Sequence, residues 1–403
     1  MSDWTSDGAL DAAVSPTKPT DSRAAWAAVA SLSLGVFGLV TAEFLPASIL
    51  PAMAQELGVS HGTAGQAVTA TAVMAALAGP LLVLGAGRLD RRLLVLGLST
   101  LLILSSLASA FAQSIETLLV ARAVLGFALG GFWAMVAALA LRLVPSEMVP
   151  RAMAVIFTGV SVATVCAAPL GALISDIWNW RVTFWVASGI GVVTLAAQLL
   201  FLPRLPAAAA PGLASFGIVL RRPAVLVGVG TVLLAVSGHF AGFTFVRPFL
   251  EEVPQMAAGT ISMALLAFGI GGFLGNLVGG AVASRSPRLG AGGGMLLLGT
   301  TAAVLLLFGS SEIAAFGAIA AWGFAFGTFP VSISSWNARV APDHAESAGA
   351  VLSASFQVAI ATGAILGGLL VDGIGPTGVI TYAVAVVLAG ALLMLVGGAR
   401  AMR

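Results

Sequence analysis

Long apolar runs separated by short polar turns fill most of this chain. A membrane-crossing helix needs about 20 mostly apolar residues. Twelve runs reach that length, and they lie at about 26–50, 63–84, 93–112, 117–142, 151–175, 182–202, 224–247, 259–283, 290–310, 312–336, 346–371 and 377–398. The pattern predicts an all-α, polytopic membrane protein with twelve transmembrane helices.

One polar interval divides the twelve helices into two sets of six. Residues 203–223 contain four prolines and a run of four alanines, and proline lacks the N–H that a helix interior needs. We therefore predict a cytoplasmic linker there, an N-terminal six-helix half at 26–202 and a C-terminal six-helix half at 224–398. Residues 1–25 and 399–403 are predicted to be cytoplasmic tails.

Composition excludes several other classes of protein. Of 403 residues, 59% are apolar and 8% are charged, whereas soluble domains average roughly 45–50% and 25%. The net charge of +2 and the scattered basic residues argue against nucleic acid as a partner. The only lysine, Lys18, precedes Pro19, so a phosphate loop of the Gly-Lys-Ser/Thr type is excluded. With one cysteine and three dispersed histidines, we expect no metal site, no cofactor and no enzymatic activity.

The distribution of positive charge predicts the orientation of the helices. Cytoplasmic loops of membrane proteins hold an excess of arginine and lysine. With the N-terminus inside, fifteen of the eighteen basic residues fall on the cytoplasmic side, and the exceptions are Arg122, Arg181 and Arg247. Both termini are therefore predicted to be cytoplasmic. The acidic segment 1–25 precedes an apolar run without a cleavage site, which predicts a tail and not a signal peptide.

The two halves resemble each other when each position is aligned with the position numbered 196 higher. This offset places Arg92 on Arg288 and Asp176 on Asp372. Parallel repeats of this kind are typical of transporters built from two similar halves.

Ionisable side chains within the membrane are costly and rare, so each one is a candidate for function. Glu43 is the only acid clearly inside a predicted helix, and it is our candidate for the group that binds and releases a proton. The alternative is that the helix ends near Pro46 and leaves Glu43 at the membrane surface. The offset carries Glu43 onto His239, which either takes part in proton coupling or is a neutral histidine bonded to a carbonyl.

Arg122 is the third candidate for proton coupling. It lies about five residues from the outer end of its predicted helix, and Glu43 lies about seven from the outer end of its own. At ~1.5 Å per residue their depths agree to within one turn. We expect an ion pair between them; the alternative is that Arg122 extends to the outer surface. Gly126 and Gly130 follow Arg122 at four-residue spacing and predict close packing of another helix.

Aromatic and polar side chains in the apolar runs are candidates for lining a substrate cavity. The aromatic ones can stack on a flat ligand and the polar ones can bind hydroxyls or base edges, with helix packing as the alternative for each. The candidates are Thr41, Trp133, Asn276, Trp322, Phe326 and Gln357.

The loop between the second and third predicted helices contains Asp90, Arg91 and Arg92. The arginines favour a cytoplasmic position, but an acid contributes little to orientation. Because a carboxylate is stabilised at a helix N-terminus, we predict a cytoplasmic gate here, in which Asp90 forms a latch in one conformation and loses it in the other.

Three of these patterns resemble motifs of the major facilitator superfamily, specifically of its twelve-helix drug and metabolite proton antiporters. The motifs of the helix 2–3 loop, helix 4 and helix 5 are similar to residues 90–92, 122–130 and 159–171. Ala86 and Ala168 stand where these motifs usually have glycine.

Within that group, the chain is similar to bacterial exporters of purine ribonucleosides from about residue 26 to 395. The stretches that carry this similarity are 43–46, 65–69, 129–135, 141–145 and 245–248. His239 stands where we expect glutamine in those exporters.

The resemblance implies a proton-coupled antiporter of the bacterial inner membrane that exports nucleosides such as inosine and guanosine by alternating access. The implied energy source is the proton gradient. The expected partners are a nucleoside-like small molecule, protons and the lipid bilayer, and we expect a monomer. One alternative is a sugar or multidrug exporter on the same fold; another is a membrane receptor or scaffold that transports nothing.

Overall fold

A computed structural model describes residues 22–85, 89–145, 148–206 and 214–401, which form helices joined by short connections. The N-terminal half contains six helices: α1 Ser22–Leu57, α2 His61–Gly85, α3 Arg91–Phe111, α4 Ile115–Leu143, α5 Val149–Ile177 and α6 Trp180–Phe201. The short helix α7, Ala214–Val219, lies in the linker. The C-terminal half contains α8 Pro223–Thr244, α9 Val246–Glu252, α10 Ala258–Arg285, α11 Pro287–Phe308, α12 Glu312–Val340, α13 Ala345–Ile374, α14 Pro376–Leu392 and α15 Gly398–Ala401.

The prediction of twelve membrane-crossing helices is confirmed. Among the described residues, eleven helical spans are long and apolar enough to cross a membrane, with α14 and α15 forming one span. The remaining crossing is α2, which is 25 residues long. It contains threonine and glutamine and packs between α4 and α13 in the interior. It is as apolar as the other membrane-crossing helices.

Helix α1 continues well beyond its predicted end. It runs through Pro46 and Pro51 to Leu57, so the alternative that the helix ends near Pro46 is wrong. Proline removes one N–H from the helix, and within a membrane the carbonyl left free must find another donor. For Pro46 that carbonyl belongs to Ala42, and Arg122 of α4 donates to it at 2.9 Å. Glu43 therefore lies in the helix interior.

The predicted boundaries of the tails and linker lie partly within the described residues. Helix α1 begins at Ser22, four residues before the predicted start of the first half, and residues 1–21 lie outside the described residues. Within the predicted linker, α7 is helical and α8 begins at Pro223, while residues 207–213 lie outside the described part.

The two halves use the same helix pairings. In the N-terminal half α1 packs on α5, α2 on α4 and α3 on α6; in the C-terminal half α8 packs on α13, α10 on α12 and α11 on α14. Between the halves, α2 packs on α13 and α5 packs on α10. One cluster of buried apolar side chains lies within the N-terminal half, and a second is centred in the C-terminal half and extends to Ala47, Val68 and Ala168 of the first.

The repeat seen in the sequence is reproduced by equivalent hydrogen bonds in the outer pairs of helices. Arg92 donates to the carbonyl of Leu199 at 2.7 Å, and Arg288 donates to the carbonyl of Leu395 at 3.1 Å. The sequence offset that aligns Arg92 with Arg288 also aligns the two acceptors. The offset of 196 residues therefore relates α3 to α11 and α6 to α14.

Helices α1 and α8 depart from that register by one turn. A Cβ added to Gly38 of α1 would touch Ile190 of α6. The sequence offset aligns Ile190 with Val386 of α14. The glycine of α8 whose added Cβ would touch Val386 is Gly238. The structural counterpart of Gly38 is therefore Gly238, and not Leu234 as the sequence offset requires. The four extra positions rotate a helix by about 400°, which preserves the face but changes the depth.

This one-turn difference corrects the predicted equivalence of Glu43 and His239. In the register that aligns Gly38 with Gly238, the counterpart of Glu43 is Phe243. His239 lies on nearly the same face of α8, one turn closer to the N-terminus of that helix.

Candidate functional site

The Arg122 side chain is buried in the centre of the N-terminal half and is 1% exposed. Its guanidinium donates to the carbonyl of Ala42 at 2.9 Å, and longer contacts of 3.5 Å reach the carbonyls of Glu43 and Ala67. The ring of Phe184 lies 5.9 Å from the guanidinium carbon, within cation–π range. The alternative that Arg122 extends to the outer surface is therefore wrong.

Close packing of α4 brings this arginine to its partners. A side chain on Gly126 would clash with the carbonyl of Thr71, and one on Gly130 would clash with the carbonyl of Ala75. The two glycines thus allow α2 to approach α4, as their spacing predicts. The Thr71 hydroxyl also lies 3.2 Å from the carbonyl of Arg122 and donates to it.

The Glu43 carboxyl is 8% exposed, and its Oε1 has no hydrogen-bond partner. Arg122 lies nearby, yet its donors reach main-chain carbonyls and not this carboxyl. In this conformation the side chains of Glu43 and Arg122 therefore do not form the predicted ion pair. Pro46 leaves the Ala42 carbonyl free, and that carbonyl accepts the shortest hydrogen bond of Arg122.

A small cavity separates α1 and α2 from α8 at this level. Glu43 is its charged lining residue, and a second buried oxygen without a partner, Oγ1 of Thr244, belongs to a residue on the opposite wall. The cavity has room for about one water molecule. Its lining consists of Glu43, Phe44, Ala47, Val68, Phe240, Phe243 and Thr244.

Buried polar atoms in proteins nearly always have partners, so the unpaired oxygens around this cavity need an explanation. Oγ1 of Thr41, one of the predicted cavity residues, is likewise buried and without a partner, although Thr41 does not line this cavity. A hydroxyl-bearing or amide-bearing ligand would supply the missing donors. The arrangement is able to bind a polar group between apolar walls.

His239 lies at the centre of an aromatic cluster in the C-terminal half and is 2% exposed. The indole N–H of Trp322 donates to its Nδ1 at 2.8 Å, and the ring of Phe326 stacks on the imidazole with centroids 3.5 Å apart. Because an indole only donates, Nδ1 carries no proton and the ring is the neutral Nε2–H form. His239 therefore lies in an aromatic cluster in this conformation, and its role in proton coupling stays a prediction.

The structure brings together two of the predicted aromatic residues and separates the third. Trp322 and Phe326 meet at His239, whereas Trp133 stacks on Phe157 within the N-terminal half at 5.7 Å. Sequence reasoning missed three further members of the cluster: Phe240, Phe243 and Phe268. The first two could have been found, because they follow His239 by one and four residues, close to it on a helix.

The remaining predicted cavity residues lie outside this cavity. Gln357 of α13 is 8% exposed and its Oε1 has no partner, while Asn276 of α10 is exposed. Their role in the substrate pathway stays a prediction.

The predicted cytoplasmic gate is a capped helix that also holds the linker. Oδ1 of Asp90 accepts from the backbone N–H of Arg92 at 2.8 Å and from that of Leu205 at 2.9 Å. The N–H of Arg91 donates to the carbonyl of Leu205 at 2.8 Å. Asp90 therefore occupies the N-terminus of its own helix, and its contacts join α3 to the start of the linker. A gating role stays a prediction, and residues 86–88 of the loop lie outside the described residues.

Two aspartates join the halves at the helix ends that are predicted to face outward, and sequence reasoning did not assign them to a site. Asp176 of α5 accepts from Arg247 of α9 at 2.6 Å. Asp372 of α13 accepts from the Ser60 hydroxyl at 2.6 Å and from the backbone N–H of Gly62 at 2.9 Å. We call these contacts the outer latch. Two features of the sequence could have pointed to these residues. The repeat aligns the two aspartates with each other, and Arg247 is one of the three basic residues that are not predicted to be cytoplasmic.

The Major Facilitator Superfamily sequence profile matches residues 32–257. Among curated proteins, the purine ribonucleoside efflux pump NepI of Shigella sonnei (strain Ss046) is 40% identical over 372 residues, covering 92% of this chain and 94% of that protein. The protein of the same name from Escherichia coli (strain K12) has the same identity and coverage.

Among solved structures, the crystal structure of the human organic anion transporter MFSD10 (TETRAN) superposes with a TM-score of 0.65. The match covers 93% of this chain and 100% of the other, at 17% sequence identity. At that identity the likeness supports the fold alone.

Proposed function

The chain belongs to the major facilitator superfamily and is a multi-pass membrane transporter, and from this premise we propose that it exports purine ribonucleosides in exchange for protons. The support for the substrate is that relatives matching 92% of this chain are purine ribonucleoside efflux pumps. The support for proton coupling is one observation: Glu43 presents a buried carboxylate oxygen without a partner at the junction of the halves.

In the proposed cycle the two halves rock around the cavity and expose it alternately to each side of the membrane. The outer latch holds the outer side closed, and the substrate enters from the cytoplasm. A ligand drives such a change only when it binds the two states with different affinity. A proton that arrives from outside binds Glu43, removes its negative charge beside Arg122 and favours return to the inward-facing state.

The setting proposed for this cycle is the bacterial inner membrane, with both termini in the cytoplasm. The proton gradient supplies the energy, and no bound cofactor takes part. Since one chain contributes both halves, a monomer is sufficient.

Transport by the purified protein in liposomes tests the proposal. We expect inward-directed proton gradients to drive inosine against its concentration gradient. Glu43→Gln should lose this accumulation while retaining saturable inosine exchange at raised concentrations. The matched control is Glu312→Gln, because Glu312 is exposed at the outer start of α12 and should behave as the wild type.

Two outcomes would contradict the proposal. Full proton-driven accumulation by Glu43→Gln would remove Glu43 from coupling. Transport of non-metabolised sugars or cationic antibiotics without any transport of inosine would reject the nucleoside assignment.

A further inference from the structure

We propose that the carboxylate of Glu43 binds the 2′- and 3′-hydroxyls of the ribose, so that Glu43 distinguishes ribonucleosides from deoxyribonucleosides. This inference rests on the proposed function and assigns to one residue the recognition of the sugar.

The first observation is an acceptor that lacks a donor. Oε1 of Glu43 is buried without a partner, although the side chain is 8% exposed and lines the cavity. An ionised carboxylate only accepts hydrogen bonds and has capacity for several. The nearest strong donor, Arg122, already donates to main-chain carbonyls. The missing donors must therefore come from outside the protein.

The second observation is the charge and polarity of the groups around this carboxylate. Arg122 of α4 is the neighbouring cation, α2 contributes the apolar Val68, and α8 contributes phenyl rings and Thr244. The charges of Arg122 and an ionised Glu43 offset each other, so a cationic ligand gains little net attraction. A neutral ligand with hydroxyl donors is compatible with both charges.

The third observation is the size and lining of the cavity. It has room for about one water molecule, so in this conformation it admits one hydroxyl group, and the second hydroxyl and the base enter when the two halves move apart. Thr244 places a second unpaired oxygen on the opposite wall. The surrounding rings of Phe44, Phe240 and Phe243 contact one another with centroids 5.8–6.4 Å apart and present aromatic surface for the flat base.

The chemistry of ribose matches these features. Two adjacent hydroxyls are able to donate to the two oxygens of one carboxylate, and nucleotide-binding sites use an acidic side chain on ribose hydroxyls in this way. The sugar is the part of a purine ribonucleoside that carries such a pair. Removal of one hydroxyl leaves part of the carboxylate unpaired again.

The test compares inosine with its deoxy analogues as competitors of radiolabelled inosine in counterflow, at one fixed pH. For the wild type we expect inosine to bind at least about tenfold more tightly than 2′-deoxyinosine or 3′-deoxyinosine, since hydrogen bonds to charged groups are the strong class. 5′-Deoxyinosine should compete as well as inosine. Glu43→Gln should reduce the affinity for inosine towards that for the deoxy analogues, whereas Glu312→Gln should keep the full ratio. Thr244→Val should lower the ratio a few-fold.

The possible failures are distinguishable. Equal competition by inosine and both deoxy analogues in the wild type would overturn the ribose assignment and leave nucleoside transport standing. An unchanged ratio in Glu43→Gln would do the same. If a monodisperse wild-type protein bound no nucleoside, the proposed function and this inference would both fail. Should Glu43→Gln not fold, the wild-type ratio and Thr244→Val still decide the question.

Discussion

In the N-terminal half, the centre of the molecule contains a guanidinium and a carboxylate. In the C-terminal half, it contains a neutral imidazole enclosed by aromatic rings. The helix pairings are the same in both halves, so the scaffold does not account for this difference. The chemistry diverges where the register of α8 departs from that of α1 by one turn.

The two halves of this repeated fold have different roles in the proposed mechanism. In the register that aligns Gly38 with Gly238, the counterpart of Glu43 is Phe243, so at this position of the repeat the N-terminal half has an acid and the C-terminal half has a phenyl ring. The proposed proton binding then belongs to the N-terminal half, and the C-terminal half supplies apolar surface and one hydroxyl. The outer latch differs from the centre, because its two aspartates remain equivalent in both halves.

The largest expected effect comes from the charge in the N-terminal half. Arg122→Ala should reduce the free energy of unfolding by about 3 kcal/mol and abolish transport, because it leaves the Ala42 carbonyl buried without a donor. Chemical denaturation in detergent measures this change. Pro46→Ala should restore part of the stability in the Arg122→Ala background, since alanine supplies an N–H to that carbonyl. Equal losses with and without Pro46→Ala would contradict this explanation.

Breaking the aromatic cluster should have a smaller effect. Trp322→Phe removes the donor to Nδ1 of His239 and leaves that atom buried and unpaired, at a cost of about 1 kcal/mol. We expect an approximately fivefold weaker affinity for inosine with proton coupling retained. Trp178→Phe, at the exposed outer end of α5, is the matched control. Loss of proton coupling in Trp322→Phe would contradict the assignment of coupling to the N-terminal half.

Where the halves are alike, matched substitutions should have matched effects. Asp372→Asn and Asp176→Asn should each weaken the outer latch and raise the outward-open population severalfold, because each removes a charge-assisted hydrogen bond. Spin labels at Gln113→Cys and Ile313→Cys, in a Cys166→Ser background, report this opening as a longer distance. Glu116→Gln should leave the distances unchanged. A response from only one of the two aspartates would show that the latch is not symmetric.

The smallest expected effect concerns an exposed ion pair between Arg222, which precedes α8, and Asp343, which lies between α12 and α13. Arg222 donates to Asp343 at 2.7 Å, and this hydrogen bond lowers the pKa of Asp343 to about 2. The stabilisation is therefore complete above the ordinary carboxyl pKa of ~3.9 and is lost as the pH falls towards 2. The small difference in melting temperature between Asp343→Asn and the wild type should be equal at pH 8 and pH 5. A difference that disappears by pH 5 would contradict the lowered pKa.

Much of the fold could be predicted from the sequence, because each membrane-crossing helix is marked by its own apolar run and each cluster of arginines can be read directly from the chain. The neighbourhood of Glu43 and Arg122 was also accessible, through their similar depths. The acceptor of Arg122 was not recognised, although Pro46 marks the free carbonyl. The one-turn difference in register between α1 and α8 and the hydrogen bonds of Asp372 to Ser60 and Gly62 could not be predicted. Both depend on contacts between segments far apart in the chain, which hydropathy does not encode.

The central claim is that the proton-binding group belongs to the N-terminal half and not to the histidine of the other half. Proton release upon inosine binding, measured with a pH indicator in weakly buffered detergent solution at saturating inosine, tests it directly. We expect release from the wild type and from His239→Gln, and none from Glu43→Gln. Release that persists in Glu43→Gln and disappears in His239→Gln would contradict the account.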